Sequence, residues 1–205
     1  LHLCDRRQRQ MCIRDRYIFF LALLRPNKGA HLLIEAVAKL KASLKGWKIV
    51  IAGKDNEHYA SFLKKLIIQY QLEDMISLPG ALYGEDKWNM YRKADFFVLP
   101  TLNENFGIVI AEALLCGTPV ITCKGAPWNG LIDNHCGWWV DRTVEDITDA
   151  LNKAIRLQEN EIREMGMRGR EFVINNYASN LVAKQLIDVY KSCLLYTSDA
   201  ADDRI

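Results

Sequence analysis

Short, nearly unbroken apolar runs recur along the chain, separated by longer amphipathic stretches, and few folds accommodate that alternation. YIFFLALL (17–24), WKIVIAG (47–53), MISLPG (75–80), DFFVLP (95–100) and TPVITC (118–123) read as strands buried on both faces. GWWVD (137–141) is expected to close an edge. Between the runs, Leu32, Leu33, Ala36, Val37, Leu40 and Leu44 fall at three- and four-residue steps after the Lys28-Gly29 turn, as do Tyr59, Phe62, Leu63, Leu66, Ile67 and Tyr70. A later stripe, Val144, Ile147, Leu151, Ala154 and Ile155, has Thr143 placed as its N-cap. Two more helices are expected at 159–176 and 179–192. The pattern implies an α/β fold, a Rossmann-like doubly wound parallel sheet of about six strands. Such a sheet binds its ligand beyond the carboxyl ends of its strands, so the informative loops follow the apolar runs.

With 205 residues, half of them apolar, the chain can bury one sizeable core but is short for two. Its ends do not read as native protein. RRQRQMCIRD (6–15) can be encoded by a DNA string whose reverse complement, read one base in, encodes CLLYTSDAAD (193–202). The string resembles a transposon-end sequencing adapter, so 1–16 and 193–205 are read as adapter-derived and 17–192 as the domain. Removing a net +3 at one end and −2 at the other turns the formal charge of +2 into +1. That near-neutral balance predicts no nucleic-acid partner. Cys116, Cys123 and Cys136 remain, an odd number without close spacing, which suggests free thiols rather than a disulfide framework or zinc site. No run reaches membrane-spanning length, and 17–24 lacks a small-residue cleavage site. The expected location is cytoplasmic, at most peripheral at the inner membrane surface.

The segment richest in chemistry is LPTLNENFGIVIAEALLCGTPVI (99–121). A strand ends at Pro100, a polar loop follows, and a helix is expected from near Gly107. First-turn amides lack intrahelical partners and carry the positive end of the helix dipole, so a diphosphate is their natural guest. Gly107 lets a phosphate approach and Phe106 can wall the pocket. Glu104, before the helix, could stabilise positive charge developing at a sugar carbon, while Glu112, on its second turn, could accept two ribose hydroxyls. Glu112 sits among Ile108, Val109, Ile110, Ala111, Ala113, Leu114 and Leu115, where a lone carboxylate is costly unless it faces a ligand or partner.

ENFGIVIAEAL, then GTPVI and KGAPW, resembles the donor-binding domain of glycosyltransferase family 4, of the "glycosyl transferases group 1" type, over about 17–192. That family places two glutamates with seven residues between them, as Glu104 and Glu112 stand here. The resemblance implies the C-terminal half of a GT-B enzyme that transfers a sugar, of hexosyl type, from a nucleotide diphosphate with retention of configuration. Metal and other cofactors are not expected. By the resemblance Glu104 is catalytic, holding the sugar near its reacting carbon; Asn105 and the amides of Phe106, Gly107 and Ile108 line the donor; Glu112 grips the ribose. Pro26-Asn27-Lys28-Gly29 matches the family's P-x-K-G turn and makes Lys28 the cation on the diphosphate. The family's Arg five residues before that lysine is replaced by Leu23, and Arg25 alternates to the other strand face. By position, the loop GALYGEDK (80–87) should edge the base, with the Leu82 backbone on it and Lys87 nearby.

The implied partners are a nucleotide sugar, an acceptor such as a glycan or lipid-linked glycan, and an N-terminal acceptor domain missing here that brings a catalytic His and a Gly-rich loop. Donor binding without turnover is therefore expected of the fragment, in polysaccharide biosynthesis. Two alternatives stay open: a GT-B epimerase, and a sugar-nucleotide-binding module that has lost its chemistry. His31, His58 and His135 show no catalytic spacing, and Trp128, Trp138 and Trp139 read as packing.

Overall fold

The computed structural model describes residues 15–55 and 58–177. Six parallel strands form one sheet: β1 (Arg16–Leu21), β2 (Trp47–Ala52), β3 (Ile76–Gly80), β4 (Phe96–Leu99), β5 (Val120–Cys123) and β6 (Gly137–Val140), in the order β3-β2-β1-β4-β5-β6. The helices between and after them are α1 (Ala30–Lys39), α2 (Tyr59–Gln69), α3 (Gly84–Lys93), α4 (Ile108–Leu115), the single turn α5 (Gly130–Asp133), α6 (Val144–Ala154) and α7 (Glu159–Tyr177). The α1 helix packs on α2 and α6, whereas α4 packs on α3 and α7. This is the doubly wound arrangement that continuously apolar strands require, since each strand needs cover on both faces.

The core explains the run lengths. Ile18, Phe19 and Phe20 in β1 and all of β4 are fully buried. Phe19 meets Tyr91 and Phe97 edge-on, with centroids 5.2 and 5.8 Å apart, and Trp47 stacks on Phe96. Each such side chain contributes about 1.5–3 kcal/mol through burial. The Thr143 side chain caps α6 by accepting from the Asp146 N–H. GWWV forms the expected edge strand.

Three boundaries differ from expectation. The first strand opens at Arg16, whose guanidinium lies over Trp47 and donates to the Ile155 and Leu157 carbonyls, so its residue-17 boundary falls one position inside β1. At its other end, regular pairing stops at Leu21–Ala52 and continues only as an isolated Leu24–Asp55 bridge. Residues 84–87, expected as loop, open α3, whose charged sequence leaves only Trp88, Met90 and Tyr91 to signal a buried face. The helix expected at 179–192 lies outside the described residues.

Strand order reverses between β1 and β4: the chain leaves β1 toward β2 and β3 on one side and returns to β4 on the other. Open α/β sheets bind ligands at such a reversal, beyond the carboxyl ends of the two neighbouring strands. Lys28 is on the loop after β1 and Glu104 on the loop after β4.

Candidate active site at the sheet switch point

The turn after β1 is a single 3-10 turn, Pro26–Lys28, closed by Gly29 at φ 76° and ψ 21°. Proline presets its first residue, and the left-handed closing residue favours glycine. Gly29 also lies close against the chain leaving β4: a Cβ there would lie 2.1 Å from the Pro100 carbonyl oxygen. The Asn27 carbonyl accepts the Leu102 N–H at 2.7 Å, tying the turn to the loop after β4. Arg142, arriving after β6, donates Nε to the Pro100 carbonyl and an η-nitrogen to the Pro26 carbonyl, both at 3.0 Å. One guanidinium thus ties both loops, and nothing in its sequence neighbourhood marked it.

The loop after β4 is held from its other side. Glu104 N–H donates to the Gly125 carbonyl at 2.9 Å, and a Cβ on Gly125 would lie 1.9 Å from the Leu102 carbonyl oxygen. Trp128 Nε1 donates to the Phe106 carbonyl, and the Phe106 ring packs on Trp128 and Tyr177 at about 5 Å. Gly107, itself buried, then starts α4 at φ 81° and ψ 63° without a side-chain cap, so no capping side chain takes up the first-turn N–H groups. Asn105 and Ile108 are exposed, Phe106 is 37% exposed, and Leu82 is half-buried.

Two ion pairs flank this turn. Lys28 Nζ lies 2.6 Å from Glu104 Oε1, with the two side chains 18% and 17% exposed. Lys87 Nζ lies 2.7 Å from Glu112 Oε1, at 23% and 16%. Tyr91, which sequence reasoning did not single out, donates its hydroxyl to Glu112 Oε2 at 3.0 Å. Burial, then the Glu112 charge, pushes the Tyr91 phenol far above its usual range, so it remains a donor. The spacing of Lys87 and Tyr91, four apart on one helix face, was the available signal. Leu23, where the resemblance expects arginine, is exposed, and Arg25 precedes the 3-10 turn in extended backbone.

His31 Nδ1 and the Tyr59 hydroxyl are 2.7 Å apart; burial and then Arg142 lower the imidazole pKa, and burial raises the phenol to about 12. Trp128 is buried, Trp138 meets Phe96 edge-on, and Trp139 Nε1 donates to the Ala126 carbonyl, the packing roles expected of them. Cys116, Cys123 and Cys136 are buried thiols, none of them in a disulfide among the described residues. Among the described residues, no group of three or more His, Cys, Asp and Glu could hold a metal ion, and no helix is long and apolar enough to cross a membrane.

Residues 6–172 match the family described as glycosyl transferases group 1. A putative colanic acid biosynthesis glycosyltransferase of Salmonella typhimurium is 27% identical over 180 residues, 84% of this chain and 44% of that protein. The crystal structure of the C-terminal domain of a glycosyl transferase group 1 family protein from Francisella tularensis aligns with a TM-score of 0.72 at 24% identity, covering 81% of this chain and 88% of that one. Anabaena HepE in complex with UDP and glucose aligns at 0.74 and 19% identity, covering 88% and 49%. The chain spans less than half the length of the curated relatives it matches. Fold, switch-point site and sequence agree, and the chain belongs to the glycosyl transferases group 1 family, with the Rossmann-like α/β architecture of GT-B glycosyltransferases.

Proposed function

We propose that this domain binds the nucleotide-diphosphate-sugar donor of a retaining glycosyltransferase, of hexosyl type, whose acceptor is a glycan or lipid-linked glycan carried by an additional acceptor domain. The observation that carries the reading is the pair of carboxylates, Glu104 and Glu112, each held by a lysine at opposite ends of the Gly107 turn. The diphosphate lies at the uncapped first turn of α4, beside the exposed Ile108, where the α4 dipole favours negative charge. Lys28 turns from Glu104 to the phosphate and takes up the charge that appears as the bond from sugar carbon to phosphate oxygen breaks. Glu104, freed of that pairing, faces the sugar carbon as it becomes positive. Glu112 accepts the ribose hydroxyls, and the Leu82 backbone edges the base. Asn105 and Phe106 wall the sugar.

Because two lysines offset two glutamates, the four side chains carry no net charge, and attraction for the diphosphate comes from the α4 amides together with Lys28 once it leaves Glu104. No metal or other cofactor enters this scheme. The UDP and glucose held by the Anabaena neighbour support a sugar nucleotide as ligand. Three buried cysteines that form no disulfide among the described residues suit a reducing compartment, and we place the protein in the cytoplasm.

The test is a comparison of Glu104→Gln with Glu112→Gln, by calorimetry on this chain and by transfer assay in the longer protein. The first is expected to keep nucleotide binding and lose transfer; the second is expected to lose binding. Unchanged transfer in both would refute the assignment. An epimerase would retain the binding pattern but release free or inverted sugar, and a non-catalytic module would show no transfer before mutation.

A further inference from the structure

Glu112 is the one charged residue of α4, and both of its oxygens are engaged from the same neighbouring helix. Lys87 and Tyr91 stand one turn apart on α3 and reach Oε1 and Oε2 respectively. Two donors on one rigid helix face stop the carboxylate from rotating, which a single partner would permit. An ionised carboxylate offers about four lone-pair positions. With one taken on each oxygen, one remains on each, side by side, in the spacing that a vicinal pair of hydroxyls can use.

The anchoring is deep. Tyr91 is fully buried, its ring meets Phe19 and Phe97, and its carbonyl accepts the Thr118 hydroxyl at 2.6 Å. Lys87 is further restrained with Nζ 4.6 Å over the Trp88 ring. Neither is free to follow a ligand, and both point at Glu112.

We infer that Lys87 and Tyr91 are positioning residues that set ribose recognition by aiming the Glu112 carboxylate from α3, so that Lys87 acts through Glu112 and not on the nucleobase. This rests on the proposal that Glu112 binds the ribose. Ribose over deoxyribose is then selected by a two-point clamp, and loosening either point lowers the selectivity more than the affinity for diphosphate.

The experiment is calorimetry of the full chain with UDP, GDP and ADP, each beside its 2′-deoxy form, on wild type, Tyr91→Phe and Lys87→Met. A hydrogen bond to a charged group corresponds to roughly a tenfold or greater preference for the ribose form in wild type. Both variants are expected to cut that preference to about threefold or less while melting as folded proteins. Should Tyr91→Phe not fold, Lys87→Met, on a partly exposed side chain, carries the same test. If wild type discriminates and the folded variants discriminate equally, the clamp is wrong and the ribose role of Glu112 stands. If wild type binds both forms alike, the ribose role falls and the clamp with it. If none of the nucleotides binds, the donor reading itself fails, and so does the clamp.

Discussion

Replacing Gly29 with alanine separates two costs that the β1 turn combines, backbone conformation and lack of space. Gly29 and Gly46 both adopt left-handed backbone, at φ 76° and 86°. A Cβ at Gly46 would meet nothing within 4 Å, whereas one at Gly29 would lie 2.1 Å from the Pro100 carbonyl oxygen and 2.9 Å from its carbon. Conformation alone costs each alanine variant about 1–2 kcal/mol. Gly29→Ala must also push the turn from β4 by about 1 Å, with a further cost of roughly 2 kcal/mol, the middle of the range for overpacking. At about 3 °C per kcal/mol for a domain of this size, Gly29→Ala should melt some 6 °C below Gly46→Ala. Calorimetric melting, followed by nucleotide titration, measures both consequences. The displaced turn carries Lys28, so affinity for a nucleoside diphosphate should fall about tenfold in Gly29→Ala and stay unchanged in Gly46→Ala. Equal melting temperatures, or equal affinities, would refute the claim that close apposition of the β1 turn and β4 shapes the site.

Arg142→Met removes two charge-assisted hydrogen bonds from a half-exposed side chain and should cost about 1–2 kcal/mol in urea unfolding, with weaker nucleotide binding; a change below about 0.3 kcal/mol would show that the bridge does not hold the two loops. Trp128→Phe leaves the Phe106 carbonyl without its indole donor and should cost about 1 kcal/mol, checked by the same unfolding titration. In alkali, burial raises the Cys123 thiol and the Tyr59 phenol to about 12 and the Cys136 thiol to about 11. The unfolded chain releases these protons first, near pH 9.0 for thiols and 10.0 for phenol, so their contribution is complete below about pH 9 and is lost as pH rises toward 12. Urea midpoints that stay level across that window would contradict this. His31 acts in the opposite direction: its lowered pKa favours the neutral ring, a contribution present above pH 6.5 and lost on acidification.

The six strands were legible because burial on both faces demands unbroken apolar runs, and Phe19, Val98 and Ile121 satisfy it directly. Thr143 was legible because N-capping is local chemistry. The α3 helix was not: one buried tyrosine in a charged decapeptide leaves little periodicity, so its first turn read as loop. At the site, Glu104, Gly107 and Glu112 were marked by residue type around a strand end, and Lys28 by its match to the family's P-x-K-G turn. Their partners were hidden because each lies far away in the chain, Arg142 beside Pro26 and Pro100, Gly125 beneath Glu104, Tyr91 against Glu112. Contacts of that kind follow from strand order, and only the assembled sheet reveals which loops meet at the switch point between β1 and β4.

The central claim, that a nucleoside diphosphate sits at this switch point, is tested most directly by amide NMR of the isotopically labelled chain titrated with UDP, GDP and ADP. The largest shifts should fall on Lys28 and Gly29, on residues 104 to 109, and on Glu112, and should vanish in Lys28→Met. Shifts confined to other loops, or none with any of the three nucleotides, would contradict the account.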